Sequence, residues 1–232
     1  MAPISFSLLL ALVTIACLSG LGLAASGTGY VTHYWDCCKP SCAWPNHAPV
    51  TNPVQICDIN DHKISDQLAG AGCTDADNGK AYMCSNQTPW ATDDFFSFGF
   101  AAVNIVGQSD KDYCCSCYSL TFTSGKIKGK KMIVQATNTG FDLNANQFDI
   151  AVPGGGVGNF NGCWKQWNGA PTGDQFGGFH NRWECDALPD AFKWPCYWRF
   201  DWYQNADGYP TVDYVEVPCP QQLIDRSGCW RK

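Results

Sequence analysis

Two aspartates stand apart from the other carboxylates of the chain. Asp36 sits in "YWDCCKPSCAW", between Trp35 and the adjacent pair Cys37-Cys38. Asp149 sits in "QFDIAVPGGGVG", at the end of an apolar run and just before a glycine-rich turn. A pair of such groups can cut a glycosidic bond. One carboxylic acid protonates the leaving oxygen, and the other carboxylate acts as base on water or as nucleophile. A carboxyl among apolar groups has its pKa raised by desolvation, which suits the acid, whereas a wetter, hydrogen-bonded one stays ionised and suits the base. Most aspartates in a protein are simply solvated, so position alone singles these two out.

Other chemistries find less support. The four histidines, His33, His47, His62 and His180, form no His-Glu-x-x-His, and no Gly-x-Ser-x-Gly is present. "VPGGGVGNFNGC" lacks the Lys-Ser/Thr of a phosphate loop, and reads instead as a tight turn that lets backbone approach something closely. The net charge of −6 and the lack of a basic stripe exclude nucleic acid as a partner. Ten Trp, nine Tyr and thirteen Phe exceed what packing needs in a weakly charged chain. Trp and Tyr faces also stack on sugar rings, so the composition suits a neutral polymer.

Such a site needs a frame. Residues 4–23 are apolar and uncharged, and a polar, Gly-rich sequence follows Ala24 and Ala25. The run approaches the length that spans a bilayer. It is interrupted by Ser5, Ser7, Thr14 and Ser19, and so reads as a signal peptide over residues 1–24, cleaved near 24/25. Fifteen cysteines are odd in number, but Cys17 leaves with the signal and fourteen can form seven disulfides. That usage expects a secreted, extracellular chain, not attached to a membrane after signal removal. Adjacent cysteines do not give a zinc grip, so neither metal nor cofactor is expected.

One catalytic domain is expected over residues 25–232, as a monomer with no appended carbohydrate-binding module. "CYSLTFTSG", "KKMIVQATNTG", "FDIAVPGGG", "CYWRFDWY" and "TVDYVEVPC" read as strands, and "DDFFSFGFAAVNI" as a short helix or a strand. Hairpins with glycine turns and long tied loops suggest a small β-barrel. Asn86-Gln87-Thr88 is a glycosylation sequon, weakened by Pro89.

"YWDCCKPSCAW" resembles the N-terminal signature of the family 45 glycoside hydrolases. "CSNQTPWATDDFFSFGFAA", "CCSCYSLTFTSG", "FDIAVPGGGVGNFNGC", "NRWECDALPDAFKWPCYWRFDWY" and "VPCPQQLIDRSGC" follow in that family's order, from about Thr32 to Cys229. The resemblance implies an all-β, six-stranded double-psi β-barrel with long disulfide-tied loops and a few short helices. It implies endo-hydrolysis of β-1,4-glucan with inversion, with Asp36 as general base, Asp149 as general acid and Asp142 of "NTGFDL" as a third carboxylate on a loop. It places Tyr34 beside the base and Trp44 at a sugar-stacking position, with Thr32, Lys39 and Tyr82 as further groove contacts.

The resemblance also implies the pairs Cys37–Cys163, Cys38–Cys73, Cys42–Cys114, Cys57–Cys84, Cys115–Cys229, Cys117–Cys219 and Cys185–Cys196, which would draw both flanks of Asp36 onto the barrel. Two departures stand out: Gln147 where several fungal members have His, and Asn161 where some relatives have Asp. The competing reading is a non-lytic, expansin-like wall-loosening protein. That class shares the barrel but lacks the base, and Asp36 favours the hydrolase.

Overall fold

The computed structural model describes residues 24–74, 79–140, 144–206 and 208–232; most of the segment expected to be a signal peptide, and Asp142, lie outside them. In chain order the strands are β1 (Ser26–Tyr34), β2 (Ile56–Cys57), β3 (Lys63–Ile64), β4 (Tyr82–Met83), β5 (Trp90–Ala91), β6 (Phe96–Asn104), β7 (Cys117–Phe122), β8 (Lys131–Thr139), β9 (Gln147–Ala151) and β10 (Thr211–Val217). The α-helices are α1 (Asp110–Tyr113), α2 (Gly162–Gln166), α3 (Asp190–Asp201) and α4 (Gln221–Ser227).

Six strands form a ring in the order β6-β8-β7-β10-β1-β9, and β9 closes it by pairing back onto β6. Two of the contacts, β1–β9 and β6–β8, are parallel and the other four antiparallel. This is the double-psi barrel. Closure leaves no free sheet edge and gives the loops a rigid base. Alternation sends Val31, Val103, Leu120, Val134, Phe148, Ile150 and Val212 into a dry interior. Outside the wall, Tyr34, Trp35, Ala102 and Ala151 meet Phe179 and Phe192, so this stretch of barrel is packed on both faces.

β7, β8, β9 and β10 occupy the segments whose alternation predicts strands, and "DDFFSFGFAAVNI" contains β6. One expected strand is corrected: most of "CYWRFDWY" belongs to α3. Phe192, Cys196 and Arg199 are buried at a spacing of four and then three residues, which is one face of a helix. Trp198 and Trp202, four apart, stack at 5.3 Å between ring centroids against the barrel. The apparent alternation of aromatic and polar residues arises because this helix buries side chains toward two neighbours. β1 lacks a strand signal in the sequence because Gly27 and Gly29 interrupt it. Gly29 is required by the backbone of Asn146, whose carbonyl oxygen would lie 2.6 Å from an added Cβ.

Seven disulfides tie the loops down, in the pairings that the resemblance implies. Cys37–Cys163 and Cys38–Cys73 both fasten the C-terminal side of Asp36, not its two flanks. The N-terminal side is held by backbone instead. Val152 N–H donates to the Tyr34 carbonyl at 2.8 Å, and Trp35 N–H to that of Gly156 at 2.6 Å. The glycine turn after β9 therefore does what its sequence suggests, and the backbone it approaches is that of Tyr34. A Cβ on Gly155 would stand 2.8 Å from the Val152 carbonyl oxygen and 3.1 Å from Tyr34 backbone atoms.

The buried Arg199 braces the turn by donating to the Gly154 and Gly177 carbonyls. Substituting Gly155→Ala is expected to lower unfolding free energy by about 1–3 kcal/mol, the usual cost of overpacking, measured by urea denaturation. Unchanged stability would show that the turn yields freely.

Candidate active site

The parallel register of β1 and β9 sets Thr32 opposite Asp149 and Tyr34 opposite Ala151. Side chains paired in this way leave the same face of the sheet. Thr32 Oγ1 donates to Asp149 Oδ1 at 2.6 Å, and Gln147 Nε2 donates to Thr32 Oγ1 at 2.9 Å. The three form a directed chain that ends on the carboxylate. Gln147 thus serves as the first donor of that chain. Asp149 is half-buried and opens onto a cleft of about 440 Å³, which Thr32, Tyr34, Gln147, Gly156, Gln175, Phe176 and Tyr209 also line. Phe176 and Tyr209 stand exposed at its rim.

Asp36 follows two residues after β1 ends. Its Oδ1 accepts the Cys38 N–H at 2.9 Å across a turn in which Cys37 is left-handed, with φ of 59°. Gly162 N–H donates to its carbonyl at 2.9 Å, and Met83 N–H to that of Cys37 at 3.1 Å. Trp35 buries its ring edge-on against Phe192. Asp36 itself is 9% exposed. Burial pushes its carboxyl up to about 6, with the Cys38 N–H pulling the other way. Of the two aspartates, Asp36 is thus the more buried.

Tyr34 links the two. Burial holds its phenol well above 10, and the charges of Asp36 and Asp149 both add to the shift. Two carboxylates from distant parts of the chain therefore act on one hydroxyl. That oxygen accepts from Asn138 Nδ2 at 3.1 Å, while Asn138 Oδ1 accepts the Ser41 N–H at 2.9 Å. Asn138, at the end of β8, carries no sequence signal beyond its place in "NTG".

The remaining sequence candidates lie elsewhere. Lys39 is buried, donating to the Gln67 and Ala69 carbonyls at 2.6 and 2.9 Å, and burial lowers its ammonium to about 8 against the pull of Asp66. Its Nζ sits 3.2 Å from the centroid of the Trp44 ring. One face of the half-buried Trp44 is therefore covered, leaving at most the other for a sugar. Tyr82 is 1% exposed and packs against Gly72, beneath the surface. Asn86 is half-buried, with its Nδ2 at 3.5 Å from the Arg226 carbonyl. Asn161 caps α2 by accepting the Trp164 N–H at 3.0 Å, a role open equally to Asp. Among the described residues no group of three or more His, Cys, Asp or Glu could hold a metal ion.

A barrel-wall cleft lined by a carboxylate and exposed aromatic rings, with a second, buried carboxylate bearing on the same tyrosine, has the makings of a glycoside-cleaving site, and comparison with known proteins makes the class specific. The description "Glycosyl hydrolase family 45" matches residues 28–230. A "Putative endoglucanase type K" of Fusarium oxysporum is 52% identical over 90% of this chain, which spans 54% of that relative's length. An "Endoglucanase" of the springtail Cryptopygus antarcticus is 47% identical over 97% of both chains, and one from Phaedon cochleariae is 42% identical over 88% of this chain and 84% of its own. The crystal structure of the Cryptopygus antarcticus cellulase superposes with a TM-score of 0.84 at 47% identity, covering 90% of this chain and 99% of that one. The chain belongs to glycosyl hydrolase family 45.

The burial of Asp36 carries a stability signature. Its folded pKa of about 6 exceeds the ordinary 3.8. Between those values the folded chain keeps a proton that the unfolded chain has released. The favourable contribution is therefore complete below pH 4 and is lost as pH rises through 6. Asp36→Asn keeps the acceptor for Cys38 N–H and removes the buried charge. It should add about 2–3 kcal/mol to unfolding free energy near pH 7.5 and almost nothing near pH 4, by denaturant titration at both. An equal effect at the two pH values would contradict the burial.

Proposed function

We propose that the protein is a secreted endo-β-1,4-glucanase that cuts internal bonds of cellulose and related glucans with inversion at the anomeric carbon. Asp149 is the general acid and Asp36 the general base. The reading rests most on one observation: both carboxylates bear on the Tyr34 hydroxyl, yet of the two only Asp149 lines the cleft. Burial alone would favour Asp36 as the acid. Access decides otherwise. An acid must touch the bridging oxygen of a polymer, whereas a base need touch only a water molecule. Asp36, nearly sealed, suits the second task.

A glucan chain lies along the cleft with its rings toward Phe176 and Tyr209. Asp149 gives its proton to the leaving oxygen, held in place by the Gln147–Thr32 chain. Asp36 takes a proton from a water on the opposite side of the sugar, a route that in inverting enzymes needs about 6.5–9.5 Å between the carboxyl groups. Tyr34 stays neutral at working pH because its phenol is raised. With Asn138 donating to its oxygen, its own proton is free to orient that water or the base. Asp142, outside the described residues, would serve as the third carboxylate that the resemblance implies. The chemistry needs no metal or cofactor. Seven disulfides favour an oxidising, extracellular location.

Asp149→Asn should lose hydrolysis of cellohexaose by at least about a hundredfold while binding it with near wild-type affinity in calorimetry. Hydrolysis at wild-type rates would remove Asp149 from the reaction. Because the base must be ionised and the acid protonated, kcat/KM should rise with unit slope up to about pH 6, the value to which burial pushes Asp36, and fall again as Asp149 loses its proton. A limb near 4 would point to a solvated base.

A further inference from the structure

A second depression, of about 620 Å³, lies between β5, α3 and α4 and shares no lining residue with the cleft around Asp149. Its walls include Trp90, Trp194, Pro195, Tyr197, Trp198 and Arg226. Trp198 and Trp202 are buried and form its floor, so packing accounts for them. Packing does not account for Trp194. It is 78% exposed on α3 and meets Tyr197 edge-on, with ring centroids 5.8 Å apart. It does not stand singly, since Trp90, Pro195 and Tyr197 share the depression with it, and a contiguous apolar patch marks an interaction site.

Of the three cations around this depression, two are paired with carboxylates and the third is half-buried against a ring. Arg182 makes a two-pronged pair with Asp201, at 2.8 and 2.9 Å, and lies 4.1 Å above the Tyr197 ring. Lys193 pairs with Asp190 at 2.7 Å. Arg226 lies 3.6 Å over Trp90 and donates to the Asn86 and Thr88 carbonyls at 3.3 Å. A strongly charged partner would find its counter-charges occupied. What remains is a set of flat rings edged with fixed donors and acceptors. That pattern complements a neutral, polyhydroxylated chain, whose C–H faces stack on rings while its hydroxyls meet the polar edges.

We propose that this depression is a second, non-catalytic binding site for a β-glucan chain, with Trp194 as its principal platform. The inference rests on the substrate class proposed above. Two sites on one rigid body make the second contact with a long polymer intramolecular, which raises local concentration at an insoluble substrate. A short oligosaccharide that fills only the catalytic cleft gains nothing from it.

The test compares wild type, Trp194→Ala and Trp194→Phe. Asn86 opens onto the same depression, so all three carry Asn86→Gln to keep a glycan out of it. Adsorption to insoluble cellulose at 4 °C is measured by depletion, and kcat/KM on cellohexaose is measured in solution. Trp194→Ala should adsorb at least fivefold more weakly with kcat/KM within twofold of wild type, and Trp194→Phe should regain most of the adsorption. Unaltered adsorption by Trp194→Ala, or equal loss of adsorption and cellohexaose turnover, overturns the proposal. A wild type that cleaves no glucan yet adsorbs through Trp194 would overturn the hydrolase reading and leave the second site standing.

Discussion

The parallel pairing of β1 with β9 is the constraint on which the site depends. It brings together Thr32 and Asp149, 117 positions apart in the chain, at hydrogen-bond distance. Only barrel closure, with β9 pinned between β1 and β6, makes that neighbourhood rigid. The same ladder fixes where β1 ends and so where Asp36 begins. Beyond the ladder, the glycine turn folds back under Tyr34, and Arg199 clamps it from α3. A slip of one residue in this register would turn Asp149 into the apolar interior and Phe148 out to solvent.

Electrostatics and covalent bonds are coupled around Asp36. Holding a carboxylate among Trp35, Tyr34 and two disulfides costs the fold stability above pH 6, and a flexible loop would relieve that cost by turning the group to water. Cys37–Cys163 and Cys38–Cys73 block the escape on one side, and the backbone bonds of Tyr34 and Trp35 block it on the other. The disulfide density next to this aspartate is thus intelligible as preorganisation. Strain and burial concentrated at one residue are expected where a site must be held against its own relaxation.

How much of this the sequence discloses depends on the range of the interaction. Local alternation reports β7, β8, β9 and β10, because each buries one side against the interior. It misreads α3, whose aromatic residues pack toward two neighbours, and it is silent on β1, where glycines serve close backbone approach. Asp36 and Asp149 are visible from their flanking residues. The burial of Lys39 is not, since the carbonyls that receive its ammonium lie 28 and 30 positions away. Asn138 is hidden for the same reason, its phenol partner being 104 positions distant. Composition records the surplus of aromatic rings but not that Trp194 faces water while Trp198, four residues on, is buried.

The central claim is that a water molecule, activated by Asp36, attacks from the face opposite to Asp149. Stereochemistry reports this directly. Proton NMR during the first minutes of cellohexaose hydrolysis, before mutarotation equilibrates the ends, should show the new reducing end as the α-anomer. An initial excess of the β-anomer would mean retention through a covalent intermediate, and the arrangement of base, water and acid described above would be wrong.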